Sequence, residues 1–530
     1  MTVISGAGAL TASLAAHGVD LVWGIPGTHN LDIYAHLPAD GIRHAPARHE
    51  QGAAFAADGF ARATGRPGVC VTTSGPGVLN AATALAQAWS DSVPVLLVAA
   101  GMPLRHPGRG NGHLHETRDL RGALEGIVAS SHRVTSVAEI PHAVAQAFAT
   151  MTAGRPRPAY LEVPYDVLAE QGDVTPVAPI PTARLVPGRA PIEQAARRLA
   201  DSESVAIIAG GGASGACAEL QAVAEGLGAA VVTTFNGKGA LPSAHPLCLG
   251  TGLHLDAVRQ LVEEVDTVLA IGTELAPADL WNGPLPLEGR LIRVELDPVQ
   301  AVTNAAPDLT LVGDAAAVLA ELGRIWERDG LEPPPAQRLD RVRRWRGRMR
   351  EEAGRESERW EWLLAPVAQA LSADGVLSGD STMVCYYGAA VSLPASQPRS
   401  FLYPTGYGTL GYGLPAGIGA KLGRPQDPVV VLHGDGGLMF TVAELAAAAQ
   451  LQLPLPVVVV DNGGYGEIRN EMSERGDAPL GVELPSPDFP GLARALGCHG
   501  ERIDDGDALS SALTRALAAD RPTVLHVRGA

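Results

Sequence analysis

Two stretches of this chain carry residues suited to holding a metal ion and an anion side by side. Val429-Val430-Val431-Leu432 runs into His433-Gly434-Asp435-Gly436-Gly437, and Pro456 to Asp461 runs into Asn462-Gly463-Gly464-Tyr465-Gly466. Each half reads as a buried strand ending in a glycine turn, with Phe440 to Gln450 as an Ala/Leu/Glu helix between them. A strand–turn–helix–strand unit sets the carboxyl ends of two parallel strands next to each other. Asp435 and Asn462 then meet at one edge, beside a helix N-terminus. Two hard oxygen ligands and outward-facing amides suit a divalent cation that carries a diphosphate.

A second stretch, Arg48-His49-Glu50-Gln51-Gly52-Ala53-Ala54-Phe55, starts with charge and becomes a small-residue helix. Taken alone, Glu50 reads as a helix N-terminal carboxylate favoured by the dipole. Thr72-Thr73-Ser74-Gly75-Pro76-Gly77 then reads as a strand end with a glycine turn into another helix.

The elements that must position these residues fall into three pieces. Pro176, Pro179, Pro181 and Pro187 mark a linker over Gly172–Pro191, since repeated proline removes amide donors and blocks helix. Gly330-Leu331-Glu332-Pro333-Pro334-Pro335 opens a second linker, followed by an Arg-rich segment from Arg338 to Trp360 that reads as an exposed helix. Between the linkers, apolar strands alternate with Ala-rich helices. The expected fold is therefore α/β: three doubly wound parallel-sheet domains over 1–170, 190–328 and 355–530.

The chain has 530 residues, 46% of them hydrophobic, and a formal charge of −17. That charge argues against nucleic acid as a partner. The five cysteines are scattered, so neither a zinc site nor a disulfide framework is expected. No signal peptide and no membrane-spanning run are read, and a cytoplasmic protein is expected.

Gly-Asp-Gly, a helix, a strand and then Asn resembles the cofactor motif of thiamine diphosphate enzymes of the 2-oxo acid decarboxylase and acetolactate synthase family. The Arg-His-Glu-Gln-Gly-Ala and Thr-Thr-Ser-Gly-Pro-Gly segments resemble the pyrimidine domain of that family. The resemblance covers nearly the whole chain and implies a pyrimidine domain, a middle domain and a diphosphate domain. It implies that Asp435, the Asn462 side chain and the Gly464 carbonyl hold Mg2+. Gly434, Gly436, Gly437 and Tyr465 would complete the cofactor loop, and Asp380, Ser381 and Thr382 would help hold the diphosphate. Leu410, in Gly406-Tyr407-Gly408-Thr409-Leu410-Gly411, would wedge between the two cofactor rings, and the Gly408 carbonyl would accept from the 4′-amino group. Glu50 would share a proton with N1′ of the aminopyrimidine, a task suited to a buried carboxyl with a raised pKa. In this family the two half-sites come from different subunits, so a homodimer or homotetramer with shared active sites is implied. Val205 to Gly212 resembles a dinucleotide turn without its full fingerprint, and the middle domain is expected to bind no FAD.

Substrate-facing residues are expected from Thr28 or His29 after an early strand, from Thr73, and from the loop Gly108-Arg109-Gly110-Asn111-Gly112-His113-Leu114-His115-Glu116. Thr73 stands where some aryl-oxoacid decarboxylases carry His, and His115 where acetolactate synthases carry a substrate-facing Gln. Glu467 lies where relatives vary a substrate contact; its alternative is a salt bridge with Arg469. The detailed wording most resembles 5-guanidino-2-oxopentanoate decarboxylases, which implies a 2-oxo acid with a basic tail and pairing by a carboxylate such as Glu467, Glu471 or Glu116. The alternatives are an acetolactate-synthase-like carboligase and a non-catalytic protein of the same fold.

Overall fold

The structure, a computed structural model, describes residues 2–105 and 110–529. Three six-stranded parallel sheets carry the chain, with helices on their faces. The first sheet runs Arg43–Pro46, Leu21–Gly24, Gly68–Thr72, Val95–Gly101, Ala159–Pro164, Ser130–Arg133. The third runs Phe401–Leu402, Val376–Gly379, Val429–Gly434, Pro456–Asp461, Thr523–Arg528, His499–Ile503. Counted in chain order within each sheet, both have the order 2-1-3-4-6-5, whereas the middle sheet is 3-2-1-4-5-6. The first and third domains are thus topological copies. The turn after Gly68–Thr72 in one corresponds to the turn after Val429–Gly434 in the other.

The central strands Val95–Gly101, Val429–Gly434 and Pro456–Asp461 are buried throughout. Parallel strands covered on both faces read as continuous apolar runs, which is why their positions are legible in the sequence.

Helices Glu50–Thr64 and Gly413–Gly423 bring the two copies into contact. A Cβ on Gly59 would overlap the Ala416 carbonyl, and one on Gly419 that of Ala56. Glycine is needed at both because the helix backbones touch. Arg62, almost wholly buried, ties all three domains together. Its guanidinium donates to Asp58 at 2.6 Å, Asp91 at 2.8 Å, the Tyr403 carbonyl at 3.1 Å and Asn236 Oδ1 at 3.4 Å.

Three expectations are corrected. The first linker begins later than expected, because Gln171–Val174 is a strand paired antiparallel with Thr2–Ser5. Its amides are free to pair because the prolines start only at Pro176. The Arg-rich helix, Ala336–Ser357, is not a wholly solvated rod: Val342, Trp345, Met349 and Ala353 form a buried stripe at helical spacing. The helix expected over Phe440–Gln450 starts only at Glu444, as Glu444–Gln450, and a separate short helix, Asp435–Leu438, precedes it. Between them Thr441 donates its hydroxyl to the Gly411 carbonyl at 2.8 Å, pinning the intervening turn to the neighbouring loop.

In the middle domain the glycine turn after Val205–Ala209 is packed by the chain itself. A Cβ on Gly212 would stand 2.8 Å from Gly272 Cα, and one on Gly210 would overlap the Gly272 carbonyl.

Candidate active site

The ends of Val429–Gly434 and Pro456–Asp461 pair in register through Gly434 and Val460, which sets Asp435 beside the Asn462 loop. Asp435 is 4% exposed. Burial, then the neighbouring Asp461 carboxylate, pushes its pKa up, against the pull of the Asn462, Gly436 and Gly464 N–H groups. Asn462 Oδ1 is buried and, among the described residues, has no hydrogen-bond partner. A buried acceptor without a partner is costly. One cation here would give Asp435 a countercharge and Asn462 Oδ1 a ligand, so the residues fit the metal that the motif implies. Gly463 and Gly464 have φ of +81° and +131°, which an L side chain rarely adopts. Among the described residues no three His, Cys, Asp or Glu side chains gather as a metal cluster. The donors available here are one carboxylate, one amide oxygen and one main-chain carbonyl.

Asp461, which the motif reading passed over, holds this loop. Its Oδ1 accepts from Ser486 at 2.7 Å and from the Gly463 N–H at 3.1 Å, and its Oδ2 lies 2.8 Å from His526 Nε2. An acid at the last position of a buried strand was the available signal.

The glycines expected to cradle the diphosphate are also demanded by their own neighbours. A Cβ on Gly434 would meet Thr382 Oγ1 at 2.8 Å, and one on Gly436 would meet the Tyr465 ring at 2.8 Å. One on Gly437 would overlap the Asp380 carboxylate. Asp380, expected beside the diphosphate, also braces the neighbouring loop. It is fully buried, its Oδ1 accepts from the Tyr412 N–H at 2.8 Å, and its Oδ2 accepts from the Gly411 N–H at 3.1 Å. His433 Nε2 accepts the Leu414 N–H at 2.9 Å, so its proton sits on Nδ1, 3.1 Å from Asp380 Oδ2. Ser381 and Thr382 are half-buried at the same strand end; the Thr382 hydroxyl lies over Gly434, while Ser381 pairs with the Tyr403 phenol.

The loop carrying Leu410 is tied to the first domain as well as to its own. Gly406 N–H donates to Asp91 at 2.9 Å, and Thr409 Oγ1 donates to Gln87 at 2.9 Å. Gly408, with φ +65°, is exposed, and Leu410 is half-buried.

In the first domain Glu50 opens its helix, half-buried, and accepts from Asn80 Nδ2 at 2.9 Å. A histidine group forms nearby. His29 Nδ1 lies 2.6 Å from Ser74 Oγ, its ring stacks on Tyr165 at 5.1 Å, and it meets His115 edge-on at 5.2 Å. Burial first, then His115 and His113, lowers the His29 pKa, so it stays neutral near pH 7. Thr73 Oγ1 lies 3.5 Å from His115 Nδ1, and His115 holds φ +63°, a strained conformation for a ring-bearing residue. Thr28 is exposed at the strand end. Structure thus brings His29, Thr73 and His115 together and adds Ser74.

Gly108 and Arg109 lie outside the described residues. In the rest of that loop Glu116 closes its own loop. It accepts from the N–H groups of Gly110 at 2.7 Å, Gly112 at 3.0 Å and His113 at 3.3 Å. Those donors, Gly110 first, hold its pKa below the usual range, and little of the carboxylate is left for a substrate. His113 is half-buried in the same turn. Glu467 is met by Tyr387, whose hydroxyl donates to it at 2.7 Å, while Arg469 turns to the Asn462 carbonyl at 3.5 Å.

Glu444 is a further residue that spacing did not mark. From the third domain its Oε1 accepts the N–H groups of Arg48 at 3.0 Å and His49 at 2.9 Å, just before Glu50. Burial raises its pKa from 4.5 to about 7. A carboxyl raised on folding destabilises the fold as it ionises, so stability should fall as pH rises from about 4.5 to 7. Glu444→Gln keeps the accepting oxygen and should flatten this slope in urea-melt stability, by an amount on the order of 3 kcal/mol at most. An unchanged pH profile would place the titration elsewhere.

Three models of thiamine pyrophosphate enzymes match this chain: the N-terminal TPP binding domain over residues 4–123, the central domain over 192–322 and the C-terminal TPP binding domain over 380–527. The chain belongs to the thiamine pyrophosphate enzyme family. It is 42% identical over 525 residues to a probable 2-ketoarginine decarboxylase of Pseudomonas aeruginosa, covering 98% of this chain and 93% of the relative. It is 33% identical to the acetolactate synthase isozyme 2 large subunit of Escherichia coli, covering 99% and 95%. It is also 33% identical to a probable acetolactate synthase large subunit of Methanocaldococcus jannaschii, covering 99% and 92%. A match to the cofactor-binding domains at both ends of the chain places the residues above in an enzyme.

Proposed function

We propose that this enzyme uses thiamine diphosphate and Mg2+ to decarboxylate a 2-oxo acid with a guanidino tail, releasing the aldehyde. The observation that carries the cofactor half is the buried, partnerless Asn462 Oδ1 beside Asp435 at two adjacent strand ends. Asp435, Asn462 and the Gly464 carbonyl would hold the metal and Glu50 would hold a proton at the aminopyrimidine. The cofactor supplies a nucleophilic ring carbon and an electron sink for loss of CO2. The neutral His29, with Ser74, and the Thr73–His115 pair are the chain's own groups for orienting the oxo acid and moving a proton to the product. The boundaries 1–170, 190–328 and 355–530 serve as working domain limits. The glycine turn of the middle domain, packed on Gly272, supports a reading without flavin.

Two copies are needed to complete one site. Glu50 is half-buried on the surface of its chain, and apolar side chains flank both half-sites: Leu79 is 48% exposed, Met439 46% and Phe440 54%. Leu79 follows the third strand of the first sheet and Phe440 the third strand of the third sheet. Apolar side chains of this size, exposed beside both half-sites, fit burial against a partner subunit.

The substrate half rests on the relative named as a 2-ketoarginine decarboxylase. A panel of 2-oxo acids with separate detection of CO2, aldehyde and acyloin tests it: 5-guanidino-2-oxopentanoate should be used best and give aldehyde. The acetolactate synthase relatives favour a second reading, carboligation, and efficient conversion of pyruvate to acetolactate without aldehyde would establish it. Glu467→Gln should cost about tenfold or more in kcat/KM on the cationic substrate, one charge-assisted contact, while sparing 2-oxopentanoate. Equal losses on both would assign Glu467 to cofactor support.

A further inference from the structure

We propose that Trp281, Tyr386 and Tyr387 form an aromatic corner over Glu467 that reads the far end of the substrate, selecting a planar guanidinium over an ammonium. This deepens the decarboxylase reading above and rests on it for the identity of the substrate.

The chain leads from the metal loop to this corner without a break. Thr382 Oγ1 lies over Gly434, and Met383 Sδ lies 3.9 Å from Asn462 Nδ2. Directly after them, Val384–Ala389 forms a π-helix carrying both tyrosines. Such wide turns are rare and concentrate at functional sites. The other side is equally close: Gly466, whose Cβ would crowd the Asn462 amide, immediately precedes Glu467. Tyr387 donates to Glu467 at 2.7 Å, closing the two segments on each other.

The third wall comes from the middle domain. Trp281 meets Tyr387 at 5.5 Å and 86°, and Tyr386 at 6.2 Å and 89°, while the tyrosines meet at 4.7 Å and 71°. Three rings at near right angles make the inside of a box corner. Trp281 is braced from behind by His254, stacked at 3.8 Å and 19°, whose Nε2 lies 3.1 Å from Glu356. Despite that support Trp281 remains 39% exposed. A large ring that is fixed yet open is set up to receive something. Burial, with the Glu467 charge behind it, holds both phenols well above their usual range, so they stay neutral and donate toward the carboxylate.

The chemistry of this corner favours one kind of cation. Aromatic faces attract cations, and a guanidinium is planar and weakly hydrated, so it loses little water on stacking. Glu467 can accept its N–H groups. An ammonium, compact and strongly hydrated, gains less from the flat walls.

The test uses the holoenzyme. Two unreactive probes, 4-guanidinobutanoate and 5-aminopentanoate, are titrated by calorimetry, and kcat/KM is measured on 5-guanidino-2-oxopentanoate and on 2-oxohexanoate. The guanidino probe should bind about tenfold more tightly than the amino probe. Trp281→Ala should erase most of that preference and lower kcat/KM on the cationic substrate by about tenfold more than on 2-oxohexanoate. Trp281→Phe should restore part of the loss. Equal effects on both substrates, or a probe preference untouched in Trp281→Ala, would overturn the proposal. If no 2-oxo acid is decarboxylated, the functional reading fails, and the probe titrations still decide the corner on their own.

Discussion

Glu50→Gln should lose most turnover, by about 10²–10⁴-fold under saturating thiamine diphosphate and Mg2+, while cofactor affinity stays within about threefold. The substitution keeps side-chain length and an oxygen for the Asn80 amide, which donates to Glu50 at 2.9 Å, so the helix start should be preserved. What it removes is the exchangeable proton. Cofactor binding by fluorescence quenching and single-turnover CO2 release would separate the two effects. Full activity in this variant would end the assignment of Glu50 as the activating group.

Asp435→Asn should behave in the opposite way and abolish Mg2+-dependent cofactor binding. Without a cation, the ionised carboxylate is held in a buried place beside Asp461, and its pKa is raised. Removing that charge should leave the melting temperature of the apoprotein unchanged or higher. In the native enzyme, cofactor and Mg2+ at a hundred times their dissociation constant should add about 2.7 kcal/mol of stability. In Asp435→Asn, or in native enzyme with a chelator, that increment should vanish. An increment that survives both would mean that the diphosphate is held without the metal.

These variants probe groups whose positions could be read from spacing. Asp435 and Asn462 each follow a continuous apolar run, and an apolar run flanked by a glycine turn has few alternatives to a buried parallel strand. Once the runs are adjacent strands, their ends must be neighbours. Glu50 was legible for a related reason, since a charged residue opening a small-residue helix marks the helix start.

The surroundings of Asp380 were not legible, for the complementary reason. Asp-Ser-Thr after a strand is the same local text whether its carboxylate faces a ligand or a helix N-terminus, and only the position of Gly411–Gly413 decides between them. The partners of Glu116 were hidden likewise, being amides of its own loop. Glu444 and Asp461 went unmarked because each acts by holding backbone rather than by displaying a motif.

The sequence by itself determined the α/β class, the three-sheet organisation and the residues at the strand ends, because periodicity and strand-end chemistry act over a few neighbouring residues. Only the tertiary structure decided which carboxylates are already engaged, how the first and third domains copy each other's strand order, and how Trp281 of one domain comes to face Tyr387 and Glu467 of another. Those outcomes depend on which buried polar groups find partners and which rings pack across domain boundaries, and such contacts join residues far apart in the chain.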